Sequence, residues 1–453
     1  MAESTNTIQK EIQDREAKEK RELRRKRRRR NQILAILTLL LFVCLIVAII
    51  GTGVWYIMHR GAGKTAGGGA ATTEETTIDN LFESEDEIVK PEETNTEPAL
   101  TPEQQLDAIL DEAFISQMPL EDKVAGLFIV TPESITGVSK AVKAGDGTKD
   151  ALNKYAVGGI VYASQNMQDA AQFTEMVSNT TLYSRYALFT CVAEEGGSST
   201  SLENAGLADK TDSEQAMGTG ADAAKAYEAS GKIADSMLTY GLNLNFAPVA
   251  DLATVQDSYL KDASYGSDAA LAASFVTSAV QGMQEKGISS CLKYFPGAAD
   301  MKEDPAKGMA SSERTAEQLA AEEFTVFKAG IDAGADMVMV GHVAVPALTG
   351  DNTPCSLSSA VITDKLRNEL GFNGVIITDA MNKGAITEYY EADEAAILAL
   401  KAGCDMILCP DDFEKAYNGV LEAVQNGTIS EERINDSLRR IYRIKYAGMM
   451  PEA

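Results

Sequence analysis

From Thr101 onward the chain alternates short apolar runs with longer amphipathic stretches. The apolar runs fall at Gly126–Val130, Gly158–Tyr162, Ala187–Val192, Leu242–Val249, Ile288–Lys293, Met337–Val340, Val375–Ile377 and Met406–Cys409. Short, β-branched and without internal polar alternation, they read as strands buried on both faces, the pattern of a parallel sheet. Between them lie Ala-, Glu- and Lys-rich segments with helical period, among them Ala221–Tyr240, Ser267–Lys286, Glu317–Ala333 and Ala392–Ala402. Gly241, Gly287, Gly334, Gly371 and Gly403 each stand just before the next strand. Glycine ends a helix there because it accepts a left-handed backbone without a Cβ clash. Eight strands alternating with helices predict an α/β fold, a (β/α)8 TIM barrel, over residues 105–453. A doubly wound open sheet is the rival, but no G-x-G-x-x-G follows the first strand to support it.

The first hundred residues follow another pattern. Ile33 to Ile50 contains no charged residue, and with Gly51 to Met58 the apolar stretch exceeds the roughly 20 residues a bilayer span needs. A cleaved signal peptide has a shorter apolar core and a small-residue cleavage site; here Trp55 and Tyr56 stand where an interfacial aromatic pair belongs. The basic run Lys18 to Arg30 precedes this segment, with only Arg60 and Lys64 just after it, which orients the N-terminus to the cytoplasm. The expected organisation is a basic cytoplasmic arm over 1–31, a transmembrane helix over 32–58 and an acidic, flexible linker over 59–104. The linker is Gly/Ala-rich and then Thr/Glu/Asp/Pro-rich, too polar to bury a core. The expected location is the cell membrane, single-pass, with the barrel extracytoplasmic.

Charge narrows the partners. Residues 1–30 hold a surplus of six positive charges, which leaves −32 on the remainder of a chain whose total is −26. A domain that acidic is repelled by nucleic acid and by other anionic polymers. Outside the expected span the cysteines are Cys191, Cys291, Cys355, Cys404 and Cys409, an odd set that makes no disulfide framework and reads as buried free thiols. His59 and His342 are the two histidines and no metal-ligand spacing occurs, so neither metal nor other cofactor is expected.

In such a barrel the active site is built by the loops at the carboxyl ends of the strands. That rule selects Glu194 and Glu195 after the third strand, Asp251 after the fourth, Lys293 and Tyr294 after the fifth, His342 after the sixth, Asp379 after the seventh, and Asp411 and Asp412 after the eighth. Many carboxylates with one lysine and one histidine suit carbohydrate. Sugar hydroxyls are gripped by such groups, and glycosyl transfer needs a carboxylate as nucleophile or stabiliser.

Eight motifs run in order: Leu120-Glu-Asp-Lys-Val-Ala-Gly-Leu-Phe-Ile129, Val157-Gly-Gly-Ile160, Glu195-Gly-Gly197, Ala216-Met-Gly218, Leu244-Asn-Phe-Ala-Pro-Val-Ala-Asp251, Lys293-Tyr-Phe-Pro-Gly297, Gly341-His-Val343 and Phe372-Asn-Gly-Val-Ile-Ile-Thr-Asp379. Together they resemble the catalytic barrel of glycoside hydrolase family 3, specifically its single-domain bacterial β-N-acetylglucosaminidases, over about residues 105–446. The resemblance implies that Asp379 is the nucleophile of a retaining, double-displacement mechanism. It further implies that Lys293 and His342 contact the bound sugar, with Asp251, Tyr294, Glu195 and Met381 as additional substrate contacts. The implied partner is a β-linked glycan, such as N-acetylglucosamine-containing cell-wall fragments.

The departures from the family pattern are as informative. Tyr294 replaces the histidine of Lys-His-Phe-Pro-Gly, Ala193 replaces an aspartate, and Ala263 and Ser201 stand where the family has arginines. The family's acid/base is a histidine in an Asp-x-His pattern; in Glu303-Asp-Pro-Ala-Lys-Gly308, Asp304 aligns with the aspartate and Ala306 with the histidine. Other members draw a glutamate from a second domain, which a chain ending at Ala453 is expected to lack. General acid–base help is worth about 10²–10⁴-fold. Two readings follow: an active glycosidase in which Asp304, Glu303 or Lys307 substitutes, or an impaired pseudoenzyme that binds glycan or a partner. A third reading, nested in the second, makes the preserved residues structural scaffolding only, with Lys293 and Asp379 paired inside the barrel.

Overall fold

A computed structural model describes residues 106, 108–111, 114–298 and 300–447. Among them no helix is long and apolar enough to cross a membrane. The expected cytoplasmic arm, transmembrane helix and linker all lie outside the described residues.

Eight parallel strands close into a barrel in sequence order: β1 (Phe128–Val130), β2 (Gly159–Val161), β3 (Phe189–Val192), β4 (Leu244–Asn245), β5 (Ser289–Phe295), β6 (Met337–Val340), β7 (Val375–Ala380) and β8 (Met406–Leu408). The seam is shut by β1 against β8, with Phe128 opposite Ile407 and Ile129 opposite Leu408. Phe128, Ile129, Leu292, Val338, Ile376, Ile377 and Met406 are wholly buried, as strands covered by helices on one face and by the barrel interior on the other must be. The helices Ala269–Gln284 and Ala392–Ala402 follow the expected amphipathic stretches closely. Gly241, Gly287, Gly334, Gly371 and Gly403 all take positive φ, between 71° and 120°, where any Cβ would be strained.

Four elements differ in their bounds from the sequence reading. β4 ends at Asn245 rather than Val249, because Pro248 has no amide to donate and the Val249 amide goes to the buried carboxylate of Glu214 at 3.1 Å. The helix expected over Glu317–Ala333 breaks at Glu322, giving Ala316–Ala321 and Glu323–Asp332. Its two acids turn to the guanidinium of Arg314, at 2.6 Å from Glu322 and 2.7 Å from Glu323. β5 and β7 run further than expected, to Phe295 and Ala380, so Tyr294 and Asp379 lie on strands, not in the loops that follow. Both strands carry a register shift there, between Leu292 and Phe295 in β5 and between Ile377 and Ala380 in β7. Such irregularities re-aim side chains at a sheet's rim.

The last helix, Glu431–Tyr446, is tied to the barrel by the buried Asp405 at the foot of β8. Its carboxylate takes Arg367 at 2.7 Å, Ser437 at 2.9 Å and Arg440 at 3.1 Å. The five cysteines among the described residues are free thiols, four of them buried.

Candidate active site

The carboxyl ends of the strands surround an open cleft of about 780 Å³. Glu195 and Ser199 come from the segment after β3, Tyr259 and Ala263 from the loop after β4, and Tyr294 from β5 itself. Asp304, Pro305 and Ala306 come from the loop after β5, His342 from the end of β6, and Asp379 and Lys383 from β7 and its turn.

Asp379 is buried, and both its oxygens are engaged: Oδ1 accepts from the Ala380 amide and Oδ2 from Nζ of Lys383, each at 2.7 Å. Burial pushes this carboxyl upward, but the Lys383 ammonium, His342 and the Ala380 amide together outweigh it and hold its pKa below the usual aspartate value. Lys293 is buried, and its ammonium donates to Glu195. The expected pairing of Lys293 with Asp379 is therefore not found: each has its own partner of opposite charge.

His342 is fully packed. Its Nε2 lies 3.0 Å from the Ala380 carbonyl and its Nδ1 2.7 Å from Oγ of Ser356. A carbonyl can only accept, so Nε2 carries the proton and Nδ1 accepts from the serine. Burial lowers its pKa and keeps the ring neutral. Both nitrogens are thus committed within the protein, and His342 meets the cleft as a ring rather than as a free donor.

In the loop after β5, Asp304 is partly buried and caps the turn Pro305–Lys307, its Oδ1 accepting from the Ala306 amide at 2.9 Å. Ala306 borders the cleft, whereas Lys307 does not line it; its side chain is 83% exposed, with the ammonium 3.9 Å from Oδ2 of Asp304. Glu303 is exposed and does not line the cleft. Of the three groups considered as substitutes for a missing acid/base, Asp304 alone faces the site. The loop packs against the turn that follows Asp379: a Cβ on Gly384 would stand 2.8 Å from the Gly308 amide nitrogen and 3.2 Å from the Ala306 carbonyl oxygen. A side chain at 384 would push the loop outward.

Several expected site residues lie elsewhere. Asp251 is wholly buried and accepts from the amides of Ala298, at 2.9 and 3.0 Å, and Leu252, at 2.8 Å. It anchors the start of the loop that carries Asp304, while the residue before it is still paired with β5, the Ala250 amide donating to the Lys293 carbonyl at 2.7 Å. Met381 lines a neighbouring cavity with Tyr390, Asp411 and Asp412, since its own amide bonds to Leu408 of β8 and turns the side chain away from Asp379. Asp412 caps the helix Phe413–Gln425 through the Lys415 amide at 2.9 Å. Lys383 and Tyr259 are among the cleft residues not selected from sequence. Lys383 had a usable signal, a cation four residues after the key carboxylate. Tyr259 had none, being one aromatic in an irregular loop.

Glu194 faces a third cavity, beside Leu202 and Lys232. Burial raises its pKa from 4.5 to about 7, only partly opposed by the amides of Leu202 and Ser201 that it accepts. Between those two pH values the native state keeps a proton that the unfolded chain has lost. Its stabilising contribution is therefore complete below pH 4.5 and falls as pH rises through 7. Glu194→Gln keeps the acceptor and removes the titration. Its melting temperature should vary less between pH 5 and 8 than that of the parent protein; parallel curves would refute the assignment.

Among the described residues no group of three or more His, Cys, Asp or Glu is placed to hold a metal ion. The arrangement offers one ionised, doubly bonded carboxylate, a buried lysine–glutamate pair and a second carboxylate on the opposite loop, all around a sugar-sized opening.

Comparison with known proteins gives a consistent answer. Residues 119–444 match the model described as the glycosyl hydrolase family 3 N terminal domain. A β-hexosaminidase of Stenotrophomonas maltophilia (strain R551-3) is 30% identical over 284 residues, covering 60% of this chain and 82% of the relative. One from Xanthomonas campestris pv. campestris (strain B100) is 32% identical over 270 residues, covering 57% and 79%. Among solved structures, a glycoside hydrolase family 3 β-N-acetylglucosaminidase from Paenibacillus sp. str. FPU-7 superposes with a TM-score of 0.69 at 32% identity, covering 74% of this chain and 64% of that one.

Proposed function

Because the chain belongs to glycosyl hydrolase family 3, we propose that it is a β-N-acetylhexosaminidase, anchored in the membrane, that cleaves β-linked N-acetylglucosamine-containing glycans such as cell-wall fragments. The observation that carries this reading is Asp379. It sits at the carboxyl end of β7, ionised, and opens into the cleft among Glu195, Tyr294 and Lys383. The relatives named as β-hexosaminidases support the sugar class.

The proposed route is retaining. One oxygen of Asp379 attacks the anomeric carbon while the bond to the leaving oxygen breaks, and water then displaces the glycosyl group from Asp379 with the electron pair returning to the carboxylate. The leaving oxygen needs a proton in the first step, and water must lose one in the second. Asp304 is the cleft group suited to both tasks. Lys293 and Glu195 neutralise one another and present a fixed polar wall to sugar hydroxyls.

A second reading has its own observation. Ala306 borders the cleft where the family resemblance calls for a proton-transferring histidine, and the neutral His342 has no nitrogen free to replace it. On this reading the domain binds glycan or a partner and turns over slowly or not at all. An assay of the protein with aryl β-N-acetylglucosaminide and β-glucoside substrates, alongside Asp379→Asn, separates the two. Hydrolysis above the Asn variant supports the enzyme; binding without hydrolysis supports the module.

The anchor follows from the basic flank ahead of the uncharged segment Ile33 to Ile50. Protease added to intact cells is expected to release the barrel by cutting within 61–104. Protection of the entire chain from the protease would reject this topology.

A further inference from the structure

The chain turns sharply after β7, and the amide of Lys383 donates to the Ala380 carbonyl at 3.2 Å. That turn brings the lysine side chain back onto the strand it has just left, so that Nζ meets Oδ2 of Asp379. With Oδ1 held by the Ala380 amide, both oxygens of the carboxylate are restrained from within one five-residue turn. The ring of Tyr294 lies alongside, its centroid 5.3 Å from Nζ of Lys383 and 5.4 Å from Nζ of Lys293. An ammonium within about 6 Å of an aromatic face is attracted to it. Lys293 is already paired with Glu195, so the cation that serves Asp379 is Lys383.

We infer that Lys383 is a positioning residue for Asp379: its ammonium holds the carboxylate ionised and fixed in rotation, and Tyr294 supplies the aromatic face against which that ammonium rests. The kinetic consequence rests on the reading of Asp379 as nucleophile; the ion pair itself does not.

Among the surrounding groups Lys383 carries the largest share of this work, and His342, from β6, a smaller one. Burial lowers the pKa of His342, and both its ring nitrogens are engaged. The phenols of Tyr259 and Tyr294 are pushed up by burial and stay protonated, as do the thiols of Cys291 and Cys409. Asp304, across the cleft, carries a carboxyl rather than a cation. A solvated surface ion pair contributes little, but here the carboxylate is 8% exposed and the lysine 26%, so water screens the pair weakly. The lowered pKa of Asp379 agrees with that geometry.

The test uses the full chain as wild type, Lys383→Met, Lys383→Arg and Asp379→Asn, each checked for a cooperative melting transition and an unchanged circular dichroism spectrum. Aspartate carboxyls labelled with carbon-13 are titrated by NMR, and the signal lost in Asp379→Asn identifies residue 379. In Lys383→Met the proton concentration at half-titration should fall at least tenfold, while Lys383→Arg stays close to wild type. The acidic limb of kcat/KM for 4-nitrophenyl β-N-acetylglucosaminide should move the same way in the same variants. An Asp379 titration identical in wild type and Lys383→Met overturns the inference, whatever the activity. If the titration moves but no variant hydrolyses the substrate, the positioning role stands and the hydrolase reading fails.

Discussion

Replacing Asp379 with asparagine should lower turnover of an aryl β-N-acetylglucosaminide on the order of 10⁴-fold or more, the scale at which loss of a covalent nucleophile shows in kcat. Asparagine retains the size of the side chain and can still accept from the Ala380 amide, so the fold and the turn to Lys383 should survive. What disappears is the negative charge that forms the bond to the anomeric carbon and shields the oxocarbenium-like transition state. A 2-deoxy-2-fluoro or 5-fluoro glycoside should label Asp379 covalently in the parent protein, read as a mass increase on the peptide that contains it. Label on Glu194, Glu195 or Asp251 instead would contradict the assignment. The structure already argues against two of these. Glu194 opens into another cavity, and Asp251 is wholly buried with its oxygens on the Ala298 and Leu252 amides.

Ala306→His should raise the rate on natural disaccharides by about 10²-fold or more. The position borders the cleft, and its own amide already bonds to Asp304, which would stand beside the new imidazole to orient it. The gain should be small on aryl substrates with good leaving groups, because these depart without a proton. Azide, a nucleophile that needs no deprotonation, should accelerate turnover of the parent protein and do much less for Ala306→His. Brisk hydrolysis of chitobiose-like substrates by the parent, unmoved by azide, would mean that Asp304 already performs the proton transfers. If neither azide nor the histidine changes anything while glycan still binds, the losses at 193, 201 and 263 dominate and the domain is a binding module.

The legibility of this site in the sequence depended on distance along the chain. Asp379, Lys293, Glu195 and His342 were selected because each follows a buried apolar run, and the closed barrel brings three of them to one cleft with Lys293 against it. The same rule overreached at Asp251 and at Asp412, which caps a helix. Position after a strand says that a residue is near the rim; it does not say which way the side chain points. Asp251 is held inward because its carboxylate accepts from the Ala298 and Leu252 amides. Met381 was drawn to β8 by one backbone hydrogen bond. Lys383 escaped because a lysine in a turn looks like ordinary solvated charge until the turn is seen to close on Asp379.

By itself the sequence determined the barrel: the eight apolar runs, the helical periods between them and the glycines at the helix ends are local signals. They need only local physics, burial of apolar residues and the conformational freedom of glycine, to be read. It also determined the carboxylate at the rim of β7 and the alanine at 306, because identity at a position is a sequence fact. Only the tertiary structure decided the charge pairing, Lys293 with Glu195 and Asp379 with Lys383, and the commitment of both His342 nitrogens. Those contacts join residues as much as 98 positions apart, and their geometry depends on register shifts of a single residue in β5 and β7. No periodicity in the chain encodes such a shift, because it arises from how neighbouring strands settle when the barrel closes.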